Sequence, residues 1–517
     1  MPGSPSGSPP PPAAGAGAGY RPRPASNPLK EIVEDAQEEL FRVWDDRFHE
    51  LYGPFPSRVK ALLARFLECG DFHYGFARLR CVNPHCTKKD ERIVAFSCRA
   101  RGLCPSCGQR RAIEWAQRMV EEVLPLVPYR QLVFTIPIAL RKRFLFDRSL
   151  YGDLCRAAYA STRDFMRERA PLLARSAKAV PAMVVSPQSF GDLLVPHSHA
   201  HAAVSLGLFR KDGVYFPLED LDFSGLEEVF RERFFQGLLR RKKILPETVG
   251  KFKSWDHSGF HVGWRERKIE AEDRRNLESL LSYMERPAVS LRRLRYLDDG
   301  MVHYQGTRFH PRLGIDHQLL TPLEFLALLI PHVALTYEVT IRSYGALSTT
   351  FRRYAGWIQN PPVPRPPPEA TPIAAIADPD PAPPPRPMLP EAQEAEEADS
   401  PFLRKRRRSW AKLISKVWLE DPSLCRSCLK PMKIIAVIAR EQEDVIERVL
   451  RHLHLWDPPW KRPRKVRGPP PSKRDGSAIS PQETRQGGDT FEAIDPGIDD
   501  ELYAIDPVPP DDDETPA

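Results

Sequence analysis

The chain has 517 residues, a formal net charge of +8, 55 prolines and 9 cysteines. That much proline, about twice the usual share, excludes one compact domain running from end to end. A mean hydropathy of −0.43, with no run near the roughly 20 apolar residues of a membrane span, excludes a helical membrane protein.

Taken in chain order, residues 1–28 (MPGSPSGSPPPPAAGAGAGYRPRPASNP) read as disordered, and they lack the continuous apolar core of a signal peptide. Residues 29–125 read as a helical and zinc-binding domain. Six cysteines fall between Cys69 and Cys107 with no secretory signal, so a disulfide framework is not expected. Cys81-VNPH-Cys86 and Cys104-PS-Cys107-Gly108 form two knuckles, with a strand expected at Ile93–Phe96 between them. Zinc-ribbon spacing of this kind predicts one structural Zn2+ held by Cys81, Cys86, Cys104 and Cys107. Gly108 is expected to supply an open backbone conformation for the second knuckle. Cys98, Cys69 and His73 are spare ligands whose place the spacing does not decide.

Residues 126–357 read as an α+β block. A helix is expected at about 109–124, strands at Leu132–Ile136, Ala182–Ser186 and Leu193–Leu208, and amphipathic helices at Leu226–Leu239 and Glu270–Arg286, the last stopped by Pro287. The segment Pro196–His201 (PHSHAH) holds the densest chemistry. His197, His199 and His201 alternate, so on a strand they share one face, with residues two apart roughly 6.6 Å from each other. They are expected to face a cleft and hold a divalent metal, while Ser198, Ala200, Ala202 and Val204 lie under helices. Beyond this block, 358–401 reads as a disordered Pro-rich linker, 402–460 as a small C-terminal module and 461–517 as a disordered tail. Acidic residues crowd the linker and tail, so the folded part is more basic than +8 suggests. Arg240–Lys243, Leu291–Arg295 and Arg404–Arg408 suit phosphate contacts. Cys425-RS-Cys428 is a lone knuckle, which cannot by itself fill a four-coordinate shell.

The chain resembles the zinc-binding rolling-circle insertion-sequence transposases of the HUH superfamily of single-strand endonucleases. The likeness is carried by SCRARGLCPSCGQRRA (97–112), LVFTIPIALRKRF (132–144), the histidine strand, SYMERPAVSLRRL (282–294), PLEFLALLIPHV (322–333) and the SWAKLISKVWLEDPSLCRSC…PMKIIAVIA phrase. It implies an HUH-type nuclease core with a central, mainly antiparallel sheet flanked by helices. His197 and His199 match the metal-binding pair, with Mg2+ or Mn2+ as the catalytic ion. His201 is the expected third ligand, with Gln188 and Glu285 as rivals. Tyr283 matches the nucleophilic tyrosine and Arg286 its helper, with Tyr344 as the alternative nucleophile. The resemblance implies nicking and rejoining of single-stranded DNA at transposon ends and target through a 5′-phosphotyrosine. It also implies a cytoplasmic, nucleoid-associated protein of bacterial type with no membrane partner, for which a homo-oligomer is an open expectation. A rolling-circle replication initiator and a non-catalytic zinc-ribbon DNA-binding protein, including an inactivated transposase, are the alternatives. The chain departs from the family pattern at Ser198, where a bulky apolar residue is usual, at Pro287, which excludes a second tyrosine four residues after Tyr283, and at Leu429, where glycine is usual.

Overall fold

A computed structural model describes residues 27–357, apart from 89, 219–220, 256–257, 311–312 and 336–337, and then 364, 425–430, 432–456 and 467–468. The expectations for 1–28, 358–401 and 461–517 fall almost wholly outside the described residues, as does the Arg404–Arg408 cluster.

The centre is a five-stranded antiparallel sheet in the order β12-β4-β5-β3-β8. Its members are β3 (Tyr129–Thr135), β4 (Ala182–Phe190), β5 (Pro196–Ser205), β8 (His261–Trp264) and β12 (Arg342–Gly345). Leu132, Phe134, Val185, Ala200, Ala202 and Val204 project to one face, where the Leu150–Arg169 and Leu226–Arg240 helices cover them in the largest core cluster. Small side chains on β5 let the Leu150–Arg169 helix approach closely. Ser198 belongs to the same face, and its hydroxyl lies 3.1 Å from the buried Tyr151 hydroxyl. The polar side chain at this position is thus met by a hydroxyl delivered from the helix.

The opposite face carries Ala182, Val184, Ala203 and Tyr129 and packs against the Arg274–Met284 helix. Asp273 caps that helix by accepting from the Asn276 amide, which is why it starts four residues later than its apolar periodicity suggests. Leu277, Leu280, Leu281 and Met284 form its buried stripe. The Arg274 guanidinium fixes its start by donating to the carbonyls of Val120, Leu124 and Pro125.

Two smaller sheets flank the centre. β9 (Leu294–Tyr296), β10 (Val302–His310) and β11 (Ile315–Leu320) form a meander, and β6 (Gly207–Phe209) and β7 (Tyr215–Pro217) form a hairpin. The third sheet joins β1 (Phe76–Cys81) and β2 (Glu91–Ala95) to β13 (Met432–Ile438) from the C-terminal part of the chain. The Glu443–His452 helix after β13 seats Ile446 and Leu450 beside Phe76 and Ile438. The C-terminal module thus completes the N-terminal sheet, where the sequence suggests a separate unit. No helix among the described residues is long and apolar enough to cross a membrane.

Candidate functional site

All three strand histidines project onto the face covered by the Arg274–Met284 helix. They are 7 %, 2 % and 0 % exposed in chain order, so the expected open cleft is a buried site. Its chemistry is set by a chain of ring contacts. The His199 Nδ1–H donates to the His197 carbonyl at 2.8 Å, leaving Nε2 to face His201 Nε2 at 3.1 Å. The Gln131 amide nitrogen lies 3.4 Å from His201 Nδ1, so that Nδ1 accepts and His201 Nε2–H is the donor to His199. This arrangement needs neutral rings. Burial first, then the nearby Arg141 for His197 and His199 for His201, holds both residues well below the usual imidazole range.

The three imidazoles do not converge on one point. Among the described residues, only two groups of four cysteines bring three or more ligating His, Cys, Asp or Glu atoms within 4.8 Å. His197 instead stacks on His199, with centroids 4.5 Å apart, and its buried Nε2 has no hydrogen-bond partner among the described residues. The closely paired nitrogens belong to His199 and His201, with Ala200 between them on the core side. The His199 Nδ1 contact with the His197 carbonyl turns the His199 Nε2 toward His201, whereas the expected metal pair His197 and His199 meets through stacked rings.

Tyr283, in the last turn of its helix, meets His201 edge to face at 5.6 Å, and the Arg286 guanidinium lies 4.5 Å from the Tyr283 ring centroid. Gln188 and Ser186 stand opposite His199 and His201 on β4. Both reach the end of the helix, donating to the Met284 carbonyl. The buried Gln188 Oε1 has no partner among the described residues. Glu285 lies 3.3 Å from the Ser186 hydroxyl and 3.5 Å from the Thr340 hydroxyl. Burial pushes its carboxyl up to about 7, against the opposing pull of Arg111 and Ser186. A cleft opens here, lined by Arg101, Arg111, Arg148, Gln188, Glu285 and Arg286. Tyr344 is elsewhere. It sits on edge strand β12 against the opposite face, stacked on Tyr159 at 4.8 Å within the main core.

The cysteines divide differently from their spacing. Cys69, Cys98, Cys104 and Cys107 form one group, with Sγ separations of 3.9 Å for 69–104 and 3.6 Å for 69–107 and 98–107. Cys81, Cys86, Cys425 and Cys428 form the other. The expected set of Cys81, Cys86, Cys104 and Cys107 cannot meet, because β1 and β2 are a hairpin. Cys81 and Cys86 lie at its closed end, whereas Cys69 precedes β1 and Cys98 follows β2 at its open end, about 17 Å away for a six-residue strand. Zinc–sulfur bonds of about 2.3 Å imply a tetrahedral edge of about 3.8 Å, which the first group matches. His73 joins neither group; its Nδ1 lies 2.7 Å from Asp71. Gly108 is in the Pro105–Arg118 helix and serves packing: an added Cβ would lie 2.7 Å from Pro287 Cγ.

Residues 40–136 match the transposase zinc-binding domain family, and residues 183–354 match a putative transposase family. The chain belongs with the zinc-binding insertion-sequence transposases. It is 24% identical over 308 residues to the transposase for insertion sequence element IS801 of Pseudomonas savastanoi pv. phaseolicola, covering 55% of this chain and 69% of that one. No solved structure matches. The zinc-binding match contains the whole first cysteine group, which together with the thiol geometry supports a structural zinc in this transposase. The second match contains the histidine strand, Tyr283 and Arg286. Of the basic clusters expected to meet DNA, Arg241 and Lys243 are engaged by Asp153 and Asp147, and Arg293 by Asp192. Arg240, Lys242, Arg292 and Arg295 remain exposed. Sequence reasoning missed Gln131, although a polar residue at an alternate position of the apolar run YRQLVFT was a legible signal.

Proposed function

We propose that this transposase nicks and rejoins single-stranded DNA at element ends through Tyr283, beside a divalent cation held by His199 and His201. The observation that carries this reading is the contact order on one buried face: His199 Nε2, 3.1 Å to His201 Nε2, and the His201 ring against Tyr283. An octahedral shell with bonds of about 2.1 Å has an edge of about 3 Å, so the two nitrogens fit adjacent ligand positions. Using both requires His201 to carry its proton on Nδ1, with Gln131 turned so that its carbonyl accepts it. Gln188 Oε1, opposite His199, is the neutral oxygen available as a further donor. Mg2+ or Mn2+ bound there would polarise the scissile phosphate.

The Tyr283 oxygen then attacks phosphorus and loses its proton. The bond to the 3′ oxygen breaks, that oxygen takes a proton, and the 5′ phosphate stays on tyrosine. Reversal with another 3′-hydroxyl joins a new strand. Arg286 favours the phenolate or holds the phosphate, while Arg101, Arg111 and Arg148 give the adjoining cleft its positive lining. Tyr344, held in the Tyr159 stack on the far face, does not meet this geometry.

The test is incubation of the full chain with a labelled single-stranded element end, Mg2+ or Mn2+, denaturing electrophoresis and peptide mapping. An adduct on Tyr283, absent from Tyr283→Phe, is expected. Absence of any tyrosine adduct would replace the reading with a non-catalytic zinc-ribbon DNA-binding protein.

A further inference from the structure

Cys425 and Cys428 lie outside both family matches, yet the fold gives them partners. Antiparallel pairing of β13 with β1 sets Met432 opposite Cys81, and the turn preceding β13 therefore arrives at the closed end of the β1–β2 hairpin. Cys425 N–H donates to the Lys430 carbonyl and Leu429 N–H to the Cys425 carbonyl, a tight turn that presents both thiols to one side. Leu429 adopts the left-handed conformation (φ 54°) that the turn requires and that glycine would adopt without strain. Across the junction, Cys81 Sγ lies 3.6 Å from Cys428 Sγ and Cys86 Sγ lies 3.7 Å from Cys425 Sγ. These distances are far from a disulfide bond of about 2.05 Å and match the tetrahedral zinc–thiolate edge of about 3.8 Å.

The surroundings suit a structural ion. Cys81, Cys86 and Cys425 are buried, and the local apolar cluster beyond the cysteines amounts to Leu79 and Met432 with Ala77 and Val94 at its margin. So small a core gives little hold by itself, the situation in which small modules use a metal. We propose that the chain binds a second zinc through Cys81, Cys86, Cys425 and Cys428, and that this ion clasps the C-terminal β13-helix unit onto the N-terminal domain. Two knuckles of two cysteines each, from segments 339 residues apart between Cys86 and Cys425, share it. The inference is independent of the DNA chemistry proposed above.

Zinc content of the purified full chain, measured by mass spectrometry of the metal, should be two per chain. The Cys425→Ser/Cys428→Ser variant should hold one. Cys428→His, which keeps four ligands, should hold two and thus separates loss of the site from loss of the fold. The clasp is read by placing a protease site between residues 380 and 381 and cutting. The C-terminal fragment should co-elute with the rest of the wild-type protein and separate from it in the double-serine variant that retains one zinc. One zinc in the wild type, or two in the double-serine variant, would overturn the site. A fragment that stays bound in that variant would overturn the clasp.

Discussion

Gly108→Ala tests whether the zinc-binding helix positions the end of the tyrosine helix. The new methyl would lie 2.7 Å from Pro287 Cγ, 3.4 Å from its Cβ and 3.6 Å from its Cδ. Carbon atoms in ordinary contact sit about 3.5–4.0 Å apart, so one of the two segments must move by about 1 Å. Pro287 is a ring with little freedom to swing aside. Alanine in a helix gains about 1 kcal/mol over glycine, whereas overpacking costs about 1–3 kcal/mol. A net loss of about 1 kcal/mol is expected, a fall in Tm of about 2–4 °C for a unit of this size. Because Pro287 lies four residues after Tyr283, the same displacement should slow nicking by about ten- to a hundredfold, the range for a misplaced reacting group. Single-turnover adduct formation, with zinc content as control, reads both effects. Pro287→Ala removes Cγ and should restore much of the rate in the double variant. If Gly108→Ala is as stable and active as wild type, or the double variant is no faster than the single, the coupling argument fails.

Glu285 should make stability pH-dependent. Its folded value of about 7 lies above the usual 4.5, so the folded state binds more protons between these values and its stability falls as pH rises through that window. The penalty is at most about 3 kcal/mol above pH 7, and Glu285→Gln should remove it; parallel urea curves for both proteins at pH 5 and 8 would refute this. His199→Ala and His201→Ala should each abolish metal-supported nicking while single-strand binding persists, whereas His197→Ala should leave measurable activity. Equal loss in all three would return His197 to the metal shell. Tyr344→Phe removes only a hydroxyl from the stack with Tyr159, and adduct yield within about twofold of wild type is expected; a lost adduct would reassign the nucleophile.

The regular elements were largely legible because their signals are local. The strand at Leu132–Ile136 appears as Tyr129–Thr135, and Leu226–Leu239 appears as Leu226–Arg240. The two faces of the histidine strand were also separable, since small residues alternate with imidazoles. What periodicity could not show is which element covers a face: the Arg274–Met284 helix sets Tyr283 against His201 while Gly191 abuts His197, and nothing in PHSHAH encodes either. The cysteine grouping failed for a related reason. Spacing favours neighbours in sequence, but the hairpin separates Cys81 from Cys104 and strand pairing brings Cys428 to it. Reading FARLRC as the partner strand of ERIVA would have exposed the separation.

The pairing of β1 with β13 also has a consequence in time. Phe76 opposes Ile438, so the exposed edge of β1 waits for 362 further residues to leave the ribosome. At about 5–20 residues per second, that edge is unpaired for roughly 20–70 s in every newly made chain. An open strand edge is a template for pairing with another molecule. The N-terminal domain of a nascent chain is therefore most exposed to cross-pairing between chains on one message, and slower translation lengthens the interval.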